Sequence, residues 1–224
     1  MDSPQIPAVA APGRAWFVGG ALLLATVPLG VATHSTGAAI VGANTITTVL
    51  FSASLLVFAF GIRGSGSITA RRPLGTTALA VLAIWALLGW VLTDVVGASA
   101  PYDERSAAML MFGYVDTFVE LAVALVAVVQ IARAGVVPSP WNWAPAWALL
   151  AMTVPWLVWQ IIAAGATQET ASTAIFFISG VGGFVDVGST IFLGVLAIVL
   201  SDRLSRTEAV SLHSISDRPH EPAA

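Results

Sequence analysis

The sequence predicts an all-α protein, a polytopic bundle of six transmembrane helices with both the N- and the C-terminus in the cytoplasm. Of its 224 residues, 57% are hydrophobic and only 9% are charged, and the mean hydropathy is +0.88. Such a composition leaves too little polar surface for a soluble domain of this length. Two further observations, six long apolar stretches and a one-sided distribution of arginines, define the number and the orientation of the spans.

Six apolar stretches form the predicted spans. Each is long enough, as a helix, to cross the ~30 Å hydrocarbon core of a bilayer. The segments between them are short and rich in Gly, Pro, Ser or charged residues. Residues 64–67, a Gly-Ser-Gly-Ser run after span two, are expected to be a flexible linker rather than a phosphate-binding loop. The predicted spans cover residues 15–32, 38–62, 76–96, 107–132, 143–164 and 171–200.

Polar segments flank the predicted transmembrane domain, which covers residues 15–200. Residues 1–14 contain three prolines and are expected to be a disordered lead, and the charged residues 201–224 a disordered cytoplasmic tail. A cleaved signal peptide is the alternative for residues 15–32, because a lone Arg14 precedes the apolar run, although that run is long for such a signal.

The arginines predict the orientation of the spans. The chain has no lysine, so all nine of its positively charged residues are Arg. They lie before span one, between spans two and three, after span four and after span six, and only Arg105 lies in a loop on the opposite side. Because cytoplasmic loops carry an excess of basic residues, both termini are predicted to be cytoplasmic and the protein to lie in the cell membrane.

Carboxylates inside the apolar spans are the feature that points to a function. Asp116 and Glu120 are one helical turn apart in span four, Asp186 lies in the middle of span six, and Asp94 lies near the outer end of span three. The predicted orientation places all four in the outer half or the middle of the membrane, around a pocket open to the outside. The neutral side chains expected to support them as ligands are Asn44, Gln160 and Thr190.

Buried acids need a compensating positive charge. An ionised carboxylate at the centre of a bilayer costs about 2.5–3.5 kcal/mol on insertion scales. No predicted span contains Arg, Lys or His, so the charge must be neutralised by bound protons, a bound cation or a cationic substrate. The leading hypothesis is therefore proton- or cation-linked transport, channel activity or sensing. The expected partners are the lipid bilayer, a proton or small cation and a second copy of the chain, and no nucleic acid.

A structural role for the acids is one alternative. Small residues share a helix face with the acids in spans four and six, and such stripes allow membrane helices to pack closely. In this interpretation spans four and six touch, protonated carboxyls hydrogen-bond across their seam, and the protein is a structural membrane subunit. The stripes consist of Gly113, Asp116, Glu120, Ala124 and Ala127 in span four, and of Gly183, Asp186, Thr190, Gly194 and Ala197 in span six.

Signatures of catalysis are missing from the sequence. It has no His-Glu-x-x-His motif, no Gly-x-Ser-x-Gly elbow, no P-loop and no dinucleotide-binding fingerprint. The chain has no cysteine and only one histidine before the tail, so neither a metal site nor a cofactor is predicted, and the protein is not expected to be an enzyme. Binding of an apolar ligand is a further alternative to proton- or cation-linked activity. The ligand, such as a carotenoid or non-covalent retinal, would be held between the Trp-rich third and fifth spans.

Several short motifs resemble the microbial (type 1) rhodopsins. The segment 153–159, with Pro155 and Trp159, is similar to the proline-centred, tryptophan-bearing penultimate helix of that family. Segment 186–190 resembles the Asp-x-x-x-Lys stretch of its last helix, and segments 87–90 and 114–116 resemble its second and third helices.

The resemblance implies a role for two of the acids. Asp116 and Asp186 would correspond to the pair of counter-ions in these rhodopsins, while Glu120 has no counterpart in the pattern. The chain departs from the family in two respects: Thr190 stands where the retinal lysine would be, which excludes covalent retinal, and six spans are predicted instead of seven. The resemblance therefore implies a relative that lacks the lysine but retains the acidic pair.

Overall fold

The computed structural model describes residues 12–35, 43–62, 66–99, 105–165 and 168–216, and this part of the chain is all-α. It contains six α-helices and one short 3-10 helix, and the described residues form no strand. The helices are α1 (Pro12–Ser35), α2 (Ala43–Phe60), α3 (Pro73–Ser99), α4 (Arg105–Ala134), α5 (Ala144–Gly165) and α6 (Gln168–Ser216), and the 3-10 helix is Trp141–Trp143.

Five of these helices are long and apolar enough to cross a membrane, namely α1, α3, α4, α5 and α6. The apolar stretch of α2, Asn44–Phe60, is shorter. At about 1.5 Å per residue it extends over roughly 25 Å, slightly less than the hydrocarbon core. Residues 38–42 of the predicted second span lie outside the described residues. The five apolar helices indicate a membrane protein, whereas the sixth crossing stays a prediction.

Two predicted boundaries differ from the structure. The last residues of the lead that was expected to be disordered belong to α1, which begins at Pro12, and proline is well tolerated in a first helical turn. At the other end α6 continues beyond Leu200 to Ser216, into the segment for which a disordered tail was predicted. Residues 217–224 of that tail lie outside the described residues. No Gly or Pro interrupts the extension of α6, and Arg206 pairs with Asp202 across one turn at 2.8 Å.

The six helices form a ring in chain order. α1 packs against α2 and α6, α3 packs against α2 and α4, and α5 packs against α6. The contact between α4 and α5, which closes the ring, is the least extensive. Within the described ranges α4 and α6 do not pack against each other. In this part of the chain, the seam between spans four and six that the structural alternative expects is not observed.

Small residues of α6 pack closely against α1 instead. A Cβ atom added to Gly20 would lie 2.7 Å from the carbonyl oxygen of Gly194, and one added to Gly13 would lie 2.6 Å from that of Ser201. Because the sequence numbers rise along α1 as they fall along α6, the two helices are antiparallel. Gly13 and Ser201 consequently lie at the same end of the bundle.

The well-buried core lies at that same end. Its apolar cluster joins the first turns of α1 to the part of α6 around Leu200, and also includes Trp16, Ala59, Leu79 and Ile131. The arginines nearest to this cluster define what we call the arginine-rich end of the bundle. They are Arg14, Arg71, Arg72, Arg133, Arg203 and Arg206.

The loop between α2 and α3 closes the arginine-rich end. Trp16 Nε1 donates a hydrogen bond to the carbonyl oxygen of Gly66 at 2.8 Å, and Ser67 Oγ donates to that of Ala59 at 2.6 Å. The hydroxyl groups of Thr69 and Thr76 are 2.9 Å apart, and Thr69 is fully buried. The expectation of a flexible Gly/Ser linker at residues 64–67 is therefore wrong for Gly66 and Ser67, which are hydrogen-bonded to Trp16 and Ala59. Residues 64 and 65 lie outside the described residues.

Candidate functional site

The carboxyl group of Asp116 is held by a side chain of the neighbouring helix. Trp85 Nε1, on α3, donates a hydrogen bond of 2.8 Å to Asp116 Oδ1, on α4. Gly89 lies one turn beyond Trp85, and a Cβ atom added there would be 3.1 Å from the same oxygen. An indole N–H within a membrane needs an acceptor, because no water is present to replace one. Asp116 is therefore fixed against α3.

Glu120 and Asp186 share helix faces with residues that line a central cavity. Ala124 of α4 and Thr190 of α6 both line this cavity. Glu120 precedes Ala124 by four residues, and Asp186 precedes Thr190 by four. Each acid therefore lies on the same helix face as the cavity-lining residue that follows it, one turn farther from the arginine-rich end. The two acids thus lie at a similar depth, on helices that are separated in the ring by α5. Glu120 is half-buried and Asp186 is exposed.

A second polar link joins α4 to α5 close to Asp116. The hydroxyl group of Tyr114 donates to Oε1 of Gln160 at 3.2 Å. Nearby, Phe118 and Trp156 contact each other edge to face, with ring centroids 6.3 Å apart. Gln160 is therefore connected to the helix that carries Asp116 and Glu120, through a tyrosine that the sequence analysis did not assign to the site.

Two other predicted site residues, Asp94 and Asn44, are not connected to these acids by any contact that the structure describes. The backbone of Asp94 belongs to α3, beyond Gly89, and its side chain falls outside the described part of the chain. Asn44 lies in the first turn of α2 with an exposed side chain, and its carbonyl oxygen accepts a hydrogen bond of 3.0 Å from Thr48 Oγ1. The structure gives Asn44 no contact with the acids among the described residues.

Three residues of the site were not predicted from the sequence, namely Trp85, Gly89 and Tyr114. The signal for Trp85 and Tyr114 was present, since each places a polar hydrogen in an apolar helix and so requires an acceptor nearby. The sequence alone does not show which helix packs beside these residues and supplies the acceptor. Gly89 carried no such signal, because its role depends on the position of Asp116 on the next helix.

An apolar cavity of about 220 Å³ lies between the acids and the arginine-rich end. Apart from the hydroxyl groups of Ser54 and Thr190 and the indoles of two tryptophans, its lining is aliphatic or aromatic. The predicted pocket was polar and open to the outside, and this apolar cavity lies in the opposite half of the bundle. All six helices contribute, as shown by Trp16, Leu55, Leu82, Val128, Leu149 and Leu196.

The helices suggested to hold an apolar ligand, α3 and α5, make no direct contact with each other in the described structure. Both nevertheless contribute to the cavity lining, through Leu79 and Leu82 of α3 and through Leu149 and Met152 of α5. Trp85 is not among the lining residues, because its indole is directed to Asp116. An apolar ligand held by both helices would therefore lie in this cavity, nearer to the arginine-rich end than to Asp116.

Within the described ranges, no three His, Asp or Glu residues come together in a group that could hold a metal ion. The chain matches no protein-family model, no curated protein and no solved structure. The resemblance to microbial rhodopsins accordingly stays a prediction that rests on the sequence motifs. The residues of the site are the remaining basis for a functional proposal.

Proposed function

We propose that the protein is an integral membrane protein whose activity, as a transporter, channel or sensor, is linked to protons or small cations. Asp116, Glu120 and Asp186 are the groups that bind the proton or cation in this proposal. The observation that carries it is the hydrogen bond of 2.8 Å from Trp85 to Asp116, because it holds a carboxyl group inside an apolar helix by means of a neutral donor.

No basic side chain of the predicted spans can balance the negative charge of these acids. An indole orients a carboxylate but does not neutralise it. The sequence places every arginine outside the predicted spans, and it has no lysine. The compensating charge therefore comes from a proton or a cation. Asp116 and Glu120 are neighbours on one helix face, with Cβ atoms about 5–6 Å apart at this spacing, so one bound cation could contact both carboxyl groups.

The link between α4 and α5 is suited to control access to the acids. Tyr114 and Gln160 bond on the side of Asp116 that faces away from the arginine-rich end. Separation of these two side chains would open the interior between α4 and α5 towards that side. Asp94 would lie near the same entrance, and Thr190 would provide a neutral oxygen one turn from Asp186.

The arginine-rich end is the cytoplasmic end in this proposal, since basic residues are retained on that side of a membrane. With six crossings both termini are cytoplasmic, and the protein resides in the cell membrane. The acids then lie in the outer half or the middle of the bilayer.

Flux measurements in proteoliposomes test the proposal. The purified protein is reconstituted, and proton and monovalent-cation movements are followed with internal indicator dyes. We expect flux, or cation-dependent thermal stabilisation in the case of a sensor, that is lost in Asp116→Asn and Asp186→Asn and reduced in Glu120→Gln. Asp116→Asn is informative because its amide oxygen still accepts the bond from Trp85, so it removes the charge and keeps the contact.

The matched control is Asp202→Asn. Asp202 is an exposed acid that pairs with Arg206 at the arginine-rich end, and its replacement should leave flux and stabilisation unchanged. Behaviour identical to the wild type in both Asp116→Asn and Asp186→Asn would overturn the proposal.

A further inference from the structure

An apolar groove runs along the outside of the bundle between α4 and α5. It has a volume of about 380 Å³, and it is lined by residues of α4, of α5 and of the 3-10 helix between them. In a protein whose helices cross a bilayer, such a groove is in contact with lipid chains. The groove is lined by Leu121, Leu125, Trp143, Trp147 and Leu150, among others.

The outer groove and the central cavity meet at two side chains. Val128 of α4 and Leu149 of α5 line both spaces. Both lie at the contact between α4 and α5, which is the least extensive contact between neighbouring helices of the ring. Rotation of two aliphatic side chains is a smaller change than the separation of packed helices, so this seam is the easiest lateral route from the bilayer into the bundle.

We propose that one acyl chain of a membrane phospholipid enters between α4 and α5, passes Val128 and Leu149, and occupies the central cavity. The apolar lining favours hydrocarbon over water, because cavities of this character stay dry. A chain that fills the cavity restores the dispersion contacts that an empty space would forfeit. At about 220 Å³ the cavity is smaller than the ~300–1,000 Å³ of pockets for drug-sized ligands, so it suits the terminal part of one acyl chain, the rest of which lies in the groove.

The surroundings of the groove suit the rest of a phospholipid. Trp143 and Trp147 are both exposed beside it, and exposed tryptophans are typical of the membrane interface. Arg133 lies in the last turn of α4, at the same end of the bundle. A basic side chain at this level favours an anionic headgroup. The phospholipid is therefore expected to be anionic, such as phosphatidylglycerol.

Native mass spectrometry of the full chain, purified in mild detergent and titrated with phosphatidylglycerol, tests the proposal. We expect the wild type to retain one phospholipid per chain. Ala124→Phe places a ring in the cavity that Ala124 lines, and it should weaken retention at least tenfold. Ala122→Phe, at an exposed position of the same helix, is the matched control and should retain the lipid. Equal retention by the two variants would overturn the proposal.

A second measurement needs no altered protein. Phosphatidylglycerol with a diazirine near the end of its acyl chain is photolysed in proteoliposomes, and the cross-linked peptides are identified. We expect labels at cavity residues such as Leu193 and Leu196 in addition to the groove. Labels confined to outward-facing residues such as Leu150 would overturn the proposal, as would co-purification of a carotenoid or quinone in place of the phospholipid.

Discussion

Trp85 and Asp116 join α3 to α4 through a hydrogen bond of 2.8 Å between Nε1 and Oδ1. Gly89 approaches the same oxygen from α3, so the carboxyl group is enclosed by one donor and one position without a side chain. This arrangement fixes the geometry of Asp116 and leaves its charge to be balanced by something other than the protein. The bond and the charge can therefore be tested separately.

Removal of the indole donor should destabilise the bundle modestly. In Trp85→Phe the hydrogen bond to Asp116 is lost, and side-chain bonds between membrane helices contribute about 0.6 kcal/mol on average and up to about 1.7 kcal/mol. We expect a loss of unfolding free energy in that range in mixed detergent micelles. In an Asp116→Leu background the same substitution should cost nothing further for this bond. If the losses of unfolding free energy in the two single variants simply add up in the double variant, the bond does not contribute to stability.

Gly89 should be intolerant of a methyl group for the same geometric reason. Glycine to alanine within a helix normally stabilises by up to about 1 kcal/mol, but a Cβ atom at Gly89 would lie 3.1 Å from Asp116 Oδ1. We expect Gly89→Ala to yield no stabilisation and to displace the carboxyl group. Gly183→Ala is the control, because a Cβ atom there meets no neighbour within 4 Å. The measurements are thermal unfolding and the flux assay, and a Gly89→Ala protein that gains as much stability as Gly183→Ala would contradict this geometry.

The positions of the helices could be predicted from the sequence, but most of their pairings could not. A long apolar run specifies a helix whatever it packs against, and the predicted spans therefore fall on α1 to α6. In the small-residue stripe of span six, Gly194 and Ala197 pack closely against another helix, whereas a Cβ atom at Gly183 would meet no neighbour within 4 Å. The partner of the packed residues is Gly20 on α1, and a stripe alone does not say which helix it faces. The repeated small residues at Gly13 and Gly20, seven residues apart in α1 like Gly194 and Ser201 in α6, were the available signal.

The interior of the bundle was harder to predict than its helices. The Gly/Ser run at residues 64–67 was expected to be flexible, but Gly66 accepts a hydrogen bond from Trp16 and Ser67 donates one to Ala59, and neither contact is visible in the sequence. Similarly, Asp116 was predicted as part of the site while its partner Trp85 was treated only as an aromatic residue. In both cases the missing information was a contact between residues far apart in sequence.

Cysteine labelling should reveal the topology, and the chain is well suited to it because it contains no cysteine. Single cysteines are introduced at Ser205, which is exposed on α6 at the arginine-rich end, and at Ala107, which is exposed at the opposite end of α4. In intact cells a membrane-impermeant maleimide should label Ala107→Cys, and should label Ser205→Cys only after the membrane is permeabilised. Asn44→Cys tests whether α2 crosses, and it should behave like Ala107→Cys. The reverse pattern would show that the arginine-rich end is external.

Close packing of α1 against α6 should make Gly20 sensitive to the smallest enlargement. A Cβ atom at Gly20 would lie 2.7 Å from a backbone oxygen of α6, so the helices must move apart. Overpacking of this kind costs about 1–3 kcal/mol, and we expect Gly20→Ala to lower the unfolding free energy by that amount. Gly30→Ala on the same helix meets no atom within 4 Å and should be neutral or slightly stabilising. If both variants unfolded at the wild-type midpoint, α1 and α6 would not be packed at this distance, and the antiparallel arrangement that places Gly13 beside Ser201 would lose its support.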